Sequence, residues 1–319
     1  MTILTMLLNA PSLLRIPLPL HQNPLLRFSK NFPLSSSKLL HRRFCTKMTT
    51  PTATSLTQTI HLNGKGGETG TPVEIIAAPG LSHHDFRMAI ESSLFKKWLE
   101  NMQCETGILT YGDMSLKRVL VQGVDMFGKR IGFVKFRADV IHDETGNQVP
   151  GIVFSRGPAV AVLILLNSGN ETYVVLTEQV RVPVGRLILE LPAGMLDDDN
   201  GDVIGTAVRE VEEETGIKLK MSDMVNLTAF LEPATGGKVF PSPGGCDEEL
   251  SLFMYKGGVD KEVIAALQGK ETGLRDHGEL IKVRVVPYDK LWRITADMKV
   301  LSAVALYEMA KRDGLLPSK

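Results

Sequence analysis

Hydrophobic positions follow two different periods along the chain and divide it into strands and helices. Apolar residues at helical spacing predict four helices, over 85–101, 202–215, 260–268 and 296–312. Alternating or continuous apolar runs predict strands over 59–62, 73–76, 115–124, 129–140, 160–166, 172–177, 186–191, 225–232, 250–256 and 279–286. Because the helices are isolated among strands without regular alternation, the order indicates an α+β chain or a mixed α/β sandwich.

The composition is that of a globular protein. Of 319 residues, 43% are hydrophobic and 23% are charged, which excludes a chain that is disordered throughout. No run reaches the roughly 18 uninterrupted apolar residues of a membrane span. The three cysteines, Cys45, Cys104 and Cys246, are too few for a disulfide framework and form no Cys-x-x-Cys pair, so a reducing compartment is expected.

Charge is distributed unevenly. Residues 1–67 contain eight Lys or Arg and no acid, whereas the remaining 252 residues carry 28 basic and 36 acidic side chains. The net charge of −8 on this body argues against a nucleic-acid partner, which would require a basic surface. The acid-free, basic, serine-containing start resembles an organelle transit peptide, and we predict a disordered leader and linker over 1–58.

The destination of this leader has alternatives. Ser35–Ser37 and the 41–45 segment favour a plastid over a mitochondrion, while the apolar residues near the start are compatible with a secretory signal. An ordinary disordered tail is the simplest alternative, and Met48 offers an internal start that would give a cytosolic product.

The 202–215 helix carries an unusual set of acids. At 3.6 residues per turn, Glu210, Glu213 and Glu214 fall within about one third of the helix circumference, beside an apolar sector of Ile204, Ala207, Val208 and Val211. Like charges at this spacing weaken a helix, and the macrodipole disfavours them near its C-terminal end. Mg²⁺ with oxygen ligands would supply the missing counter-charge. The alternative is an exposed acidic face paired with lysines.

The residues around these acids resemble a known signature. The run Arg209–Ile217, preceded by Gly194, is similar to the signature of Nudix hydrolases, which cleave nucleoside diphosphates linked to another group. One departure lies upstream. The spacing from Gly194 to Arg209 is one residue longer than in the family, and Asn200 stands where the family has a Glu. Asp199 and Asp202 are the candidates to replace that Glu.

Two further segments narrow the resemblance. The runs Glu178–Gly185 and Glu190–Gly194, with Pro233, are similar to the ADP-ribose and ADP-sugar pyrophosphatase branch, and Ser242–Glu249 resembles its catalytic loop. With the leader, the chain looks most similar to the plastid ADP-sugar diphosphatases of plants. The resemblance implies a Nudix-type α/β/α sandwich with a mixed sheet over 156–315. A β-rich region over 59–155 precedes it and is expected to serve dimerisation and adenine binding.

The resemblance also implies roles for individual residues. The metal, Mg²⁺ or else Mn²⁺, is expected on Glu210, Glu213, Glu214 and the carbonyl of Ala193, with Glu213 and Glu214 essential for catalysis. Glu248 is our candidate base, with Asp247 and Glu249 as rivals, on a mobile loop that closes over the substrate. Gly194 and Arg181 are the expected substrate-binding residues, since the planar guanidinium of Arg181 suits a diphosphate or terminal sugar. A surface salt bridge is the alternative role for Arg181.

The function expected from these residues is Mg²⁺-dependent hydrolysis of an ADP-sugar, ADP-ribose or ADP-glucose, to AMP and a sugar phosphate. The chain would act as a homodimer, as members of this branch often do, without a nucleic-acid or membrane partner. Because a Glu of the signature is missing, a nucleotide-binding sensor with weak or no catalysis is an alternative. A diphosphatase for another dinucleotide, such as NADH or coenzyme A, is a further one.

Overall fold

Two β-sheets that follow one another along the chain form the framework of the protein. In the computed structural model, the described residues are 56–62, 70–196, 202–273 and 279–317. The strands of the first sheet are β1 (Thr57–His61), β2 (Pro72–Ala77), β3 (Met114–Phe127), β4 (Arg130–His142), β5 (Gln148–Val149) and β6 (Ile152–Ser155). Their order is β1-β2-β3-β4-β5, with β6 also beside β4. Among the described strands of this sheet, only β2 and β3 pair in parallel. A helical segment connects them and returns the chain to the same end of the sheet.

The helical segment between β2 and β3 covers one face of the first sheet. It consists of α1 (His83–Glu91) and α2 (Ser93–Gln103). The ring of Phe136 on β4 lies 5.4 Å from Phe95 and 4.6 Å from Trp98, centroid to centroid, in edge-to-face contacts. These aromatic side chains are buried and fix the helices on the sheet.

The second sheet is mixed and has the order β11-β12-β7-β8-β14-β13. Its strands are β7 (Ala159–Ser168), β8 (Glu171–Arg181), β9 (Arg186–Glu190), β10 (Ala193–Met195), β11 (Met224–Asn226), β12 (Leu250–Gly258), β13 (Glu271–Thr272) and β14 (Ile281–Pro287). β12 pairs with β7 in parallel, and β8 pairs with β7 in an antiparallel direction. β10 and β9 extend the antiparallel pairing at one end of β7 and β8.

Helices cover both faces of this second sheet. Its helices are α3 (Val203–Thr215), α4 (Lys261–Leu267), α5 (Leu291–Ile294) and α6 (Met298–Arg312). One core contains Ala207 and Val211 of α3 with the side chains of alternate β7 positions, and another contains Val300 and Ala303 of α6 with the intervening positions. β7 is therefore apolar at nearly every residue, since both of its faces are buried. The predicted α+β class and the α/β/α sandwich are confirmed.

Three local expectations differ from the structure. The predicted 85–101 helix is broken at Ser92, whose backbone is extended and whose hydroxyl donates to the Ala89 carbonyl and caps α2 by accepting from Phe95 N–H. The predicted 225–232 strand is only three residues long, and a turn of 3₁₀ helix at Thr228–Phe230 follows it. The predicted 115–124 strand is longer and runs over Met114–Phe127.

The two sheets belong to one compact unit within residues 53–319. β6 ends at Ser155 and β7 begins at Ala159, so only a three-residue link separates the sheets. Residues 1–55, which make up most of the predicted leader and linker, lie outside the described residues. Among the described helices, none has the length and apolar character needed to cross a membrane.

Candidate active site

The helix α3 is fixed in position by both of its ends and by one apolar face. Asp202 caps its start by accepting from Gly205 N–H at 2.9 Å. Gly216 ends it in the left-handed conformation with φ 75°, and the Lys270 ammonium donates to the last-turn carbonyl of Thr215 at 3.3 Å. Asp202, a candidate to replace the missing Glu, thus serves as a helix cap, whereas Asp199 and Asn200 lie outside the described residues.

The apolar face of α3 is narrower than predicted. Ala207 and Val211 are fully buried against the sheet, Val208 is half-buried, and Ile204 is 38% exposed. Glu210 and Glu214 face β10, since Glu214 accepts from Ala193 N–H and Glu210 lies against Gly194.

The carboxylate of Glu214 is the most buried of the three. Its two oxygens accept from the backbone N–H of Ala193 and from the side-chain amide of Gln179, each at 3.0 Å. Burial raises the pKa of Glu214 to about 8; Ala193 N–H and Gln179 oppose this rise, and the charge of Glu210 adds to it. Glu214 and Glu210 are therefore close enough to repel one another, as the helical spacing predicts.

The side chain of Glu210 lies directly against Gly194. A Cβ at position 194 would lie 1.9 Å from the Glu210 carboxyl carbon, so a larger residue there would displace this carboxylate from β10. β10 brings Gly194 there by pairing with β7, in the register Gly194 to Val160. Glu213, one position before Glu214, is exposed to solvent. The strand β10 and the helix α3 thus bring together Ala193, Gly194, Glu210 and Glu214.

These groups are of the chemical type that binds a hard divalent cation. They are oxygen donors, they carry mutually repelling negative charge, and the close contact of Gly194 with Glu210 brings a carboxylate to the backbone of β10. Within the described ranges, no three His, Cys, Asp or Glu side chains are already arranged to hold a metal ion. Each oxygen of Glu214 accepts one hydrogen bond and keeps a second lone pair for a cation.

The segment that follows Ser242 runs to the other side of β7. Leu250 pairs with Ala159, the same residue that Met195 of β10 faces from the opposite side. With strands about 4.8 Å apart, the backbones of Met195 and Leu250 are separated by about 10 Å, two strand spacings. The structure therefore brings the end of this loop to the same end of the sheet as the three acids.

The acidic end of this loop is anchored. The Asp247 carboxylate accepts from the Ser155 hydroxyl, from Arg156 N–H at 2.7 Å and from Gly157 N–H at 3.2 Å. Phe154 N–H donates to the Gly245 carbonyl at 2.8 Å. These bonds occupy the Asp247 carboxylate, which leaves Glu248 and Glu249 as the better placed candidates for a base.

Glu248 is mostly buried and faces an arginine. Its carboxylate lies 3.4 Å from Nη1 of Arg156, and its side chain is 16% exposed. Glu249 is half-buried, and its carbonyl accepts from Ala159 N–H at 2.9 Å. Glu248 is therefore held by its side chain and by both of its backbone neighbours, rather than lying on a freely swinging loop.

Arg181 takes part in a four-residue charge network. Its Nε and Nη2 donate to the two oxygens of Glu190 at 2.6 and 2.9 Å, a bidentate pair that does not use Nη1. Lys299 donates to Glu190 at 2.9 Å and to Asp297 at 3.0 Å. The salt-bridge alternative for Arg181 is thus realised with Glu190. Within the described part of the chain Nη1 makes no hydrogen bond, which keeps it open to a substrate oxygen.

This network predicts a pH dependence of stability. Burial alone would raise the pKa of Glu190, but hydrogen bonds and charges from Arg181 and Lys299 offset it, so the pKa lies below the usual 4.5. A lowered pKa stabilises the folded state above pH 4.5, and this contribution is lost as the pH falls through the folded-state pKa. We expect urea unfolding of Glu190→Gln to show a lower free energy of unfolding at neutral pH than wild type, and a shallower loss below pH 4.5. Parallel curves for the two proteins would contradict this role.

Several residues of the site have no signal of their own in the sequence. Gln179 and Glu190 lie in runs that the resemblance singles out, but their partners are not evident there. Arg156 and Lys299 lie 92 and 118 residues from Glu248 and Arg181, as the numbering shows. Only pairing of distant strands and packing of α6 bring these residues to the site.

Comparison with known proteins adds an independent finding. A family model described as "NUDIX domain" matches residues 155–305, which include α3, β10 and the Ser242–Glu249 loop. The chain is 66% identical over 267 residues to "Nudix hydrolase 14, chloroplastic" of Arabidopsis thaliana, covering 84% of this chain and 85% of that protein. It is 33% identical over 176 residues to "Methanol dehydrogenase activator" of Bacillus methanolicus, covering 55% and 85%. It is 30% identical over 149 residues to "ADP-ribose pyrophosphatase" of Bacillus subtilis (strain 168), covering 47% and 68%.

Proposed function

Because the chain belongs to the Nudix hydrolase family, we propose that it hydrolyses the diphosphate of ADP-sugars, ADP-ribose or ADP-glucose, to AMP and a sugar phosphate, with Mg²⁺ as its cofactor. The observation that carries this proposal is the contact of Glu210 and Glu214 with the Ala193–Gly194 strand. The name of the Bacillus subtilis relative, an ADP-ribose pyrophosphatase, supports the choice of substrate.

The residues of the chain have separate tasks in this reaction. Glu210, Glu213, Glu214 and the Ala193 carbonyl would hold Mg²⁺, or Mn²⁺ in its place. When bound, such an ion neutralises charge on the diphosphate and lowers the pKa of a coordinated water.

The remaining tasks fall to the loop and to β8. Glu248 accepts the proton of the attacking water, because it is mostly buried at the same end of the sheet. Gly194 leaves room for the carboxylate of Glu210 at the backbone of β10. Arg181 donates from Nη1 to a diphosphate or sugar oxygen while Glu190 fixes the plane of its guanidinium.

One experiment tests the proposal directly. Purified residues 49–319 are incubated with Mg²⁺ and a panel of ADP-ribose, ADP-glucose, NADH and coenzyme A, and the products are identified by mass. We expect AMP and a sugar phosphate from the ADP-sugars. Cleavage of NADH or coenzyme A alone would show that the substrate is another dinucleotide and not an ADP-sugar. Calorimetric binding of ADP-ribose without AMP release would instead identify a nucleotide sensor.

We propose the same division of the chain as the sequence predicts, with residues 59–155 as a dimerisation region and 156–315 as the hydrolase domain. The homodimer is supported by exposed apolar side chains within residues 59–155, among them Tyr111, Phe127 and Ile152, which are 45–84% exposed. Size-exclusion chromatography with light scattering should give twice the chain mass. A monomer mass alone would contradict the homodimer.

We propose a plastid location, directed by residues 1–58. The acid-free composition of this segment supports it, and so does the printed name of the Arabidopsis relative, which includes "chloroplastic". A fusion of residues 1–58 to a fluorescent protein should accumulate in plastids of plant cells, and cytosolic fluorescence would contradict the proposal.

A further inference from the structure

The link between the two sheets contacts the loop that carries Glu248. Phe154, at the end of β6, donates its N–H to the Gly245 carbonyl, and the next three residues bind the Asp247 carboxylate. The residues on both sides of Glu248 are therefore hydrogen-bonded to the link between the sheets and to the start of β7. The freedom that remains to Glu248 is mainly that of its own side-chain torsions.

Arg156 restrains these torsions from the first sheet. Its Nη1 lies 3.4 Å from the Glu248 carboxylate, and its guanidinium carbon lies 5.7 Å from the ring centre of Phe133 on β4. Phe133 is in turn stacked on Phe154, with ring centres 4.6 Å apart. The guanidinium is therefore placed between an aromatic ring of the first sheet and an acid of the second.

The contact between Arg156 and Glu248 has a geometry that contributes little to the stability of the fold. Its single distance of 3.4 Å exceeds the roughly 2.7–2.9 Å of a strong charge-assisted bond, and the buried Nε of Arg156 has no hydrogen-bond partner among the described residues. By contrast, Arg118 donates to Asp139 from Nε at 2.9 Å and from Nη2 at 2.6 Å within the first sheet. A buried donor left without a partner costs stability, so a role other than stability explains Arg156 better.

We propose that Arg156 is a positioning residue that holds the Glu248 carboxylate in the orientation needed to accept a proton. The inference rests on the proposed function, in which Glu248 is the base. It means that β4 and β6 of the first sheet, through Phe133 and Phe154, determine how Glu248 acts on the loop that precedes β12. The first sheet then contributes to the chemistry within one chain.

The test compares Arg156→Gln and Arg156→Lys with Arg118→Gln, a matched loss of a paired arginine in the first sheet. With ADP-ribose and Mg²⁺, Arg156→Gln should lower kcat by about 10- to 100-fold, the cost of a misplaced reacting group, and leave KM nearly unchanged. Arg156→Lys should restore part of kcat. Arg118→Gln should lower the melting temperature with kcat unchanged. An equal loss of kcat in both Gln variants would show a merely structural role.

A double-mutant cycle separates positioning from an independent effect. In a Glu248→Gln background, Arg156→Gln should cause no further loss of kcat, because the positioned group is already gone. Additive losses would overturn the proposal. A raised KM with unchanged kcat would also overturn it, since it would make Arg156 a substrate contact.

A spectroscopic measurement distinguishes this proposal from the proposed function. In protein labelled with ¹³C at glutamate carboxyl groups, the Glu248 signal is identified by its loss in Glu248→Gln. We expect this signal to shift in Arg156→Gln and not in Arg118→Gln. If wild type cleaves no ADP-sugar, the proposed function fails while this shift still reports the contact. An unchanged signal would overturn the role of Arg156 whatever the substrate.

Discussion

Replacing Glu213 or Glu214 by glutamine is expected to remove the hydrolysis of ADP-ribose and ADP-glucose. Loss of a group that merely supports a metal ligand costs about 10- to 100-fold, so loss of a ligand carboxylate should cost at least about 100-fold. Glutamine keeps the shape of the side chain and removes its charge. The measurement is AMP release at saturating Mg²⁺ for each variant, beside wild type.

Glu212→Gln is the matched control on the same helix. Glu212 is exposed and lies 3.2 Å from the Lys218 ammonium, on a different face from the three acids. It should keep the wild-type rate, since it loses only a surface ion pair. Unchanged rates in Glu213→Gln and Glu214→Gln would discard the metal-dependent mechanism, and an equal loss in Glu212→Gln would indicate damage to α3 instead.

Replacing Glu248 by glutamine is expected to lower kcat by roughly 10²- to 10⁴-fold, the usual contribution of a general base. The amide keeps the size of the side chain but cannot accept a proton from water. Binding of ADP-ribose should persist, because Glu248 is not among the groups expected to hold the metal or the diphosphate. The rates of AMP release and the calorimetric affinity for ADP-ribose measure the two effects separately.

Glu249→Gln serves as the control for the neighbouring candidate. Its expected rate is close to wild type, and a loss confined to Glu249→Gln would transfer the role of base from Glu248 to Glu249. Asp247→Asn is less informative, since the Asp247 carboxylate holds Ser155, Arg156 and Gly157 and its loss would release the loop. A fall in melting temperature would identify that structural effect.

Helical spacing was enough to predict the face of α3. It predicted that Glu210, Glu213 and Glu214 share one side because side chains three and four residues apart do so. In the structure Glu214 lies close to Glu210, while Glu213 is exposed. Gly216 was likewise readable as the end of α3, because a helix commonly ends on a left-handed glycine. The break at Ser92 was missed, since its hydroxyl competes with the helix backbone in a stretch of otherwise helical apolar spacing.

The contacts around Arg181 and Glu248 were beyond any local pattern. The sequence predicted a guanidinium and a carboxylate of suitable chemistry, but it did not show that Glu190 already binds Arg181. The partner of Glu248 is equally distant in sequence. One sequence by itself does not show which remote residues meet.

The sequence by itself determined the strands, most helices, the acidic face of α3 and the family that this face resembles, because each depends on neighbours within a few residues. Only the tertiary structure decided that Ala193 N–H binds Glu214, that Asp247 anchors its loop, and that Arg156 faces Glu248. Those outcomes depend on the register of β10, β7 and β12, and on the link that joins the two sheets. Such contacts are selected by the burial of whole strands and helices, and no short segment contains that information.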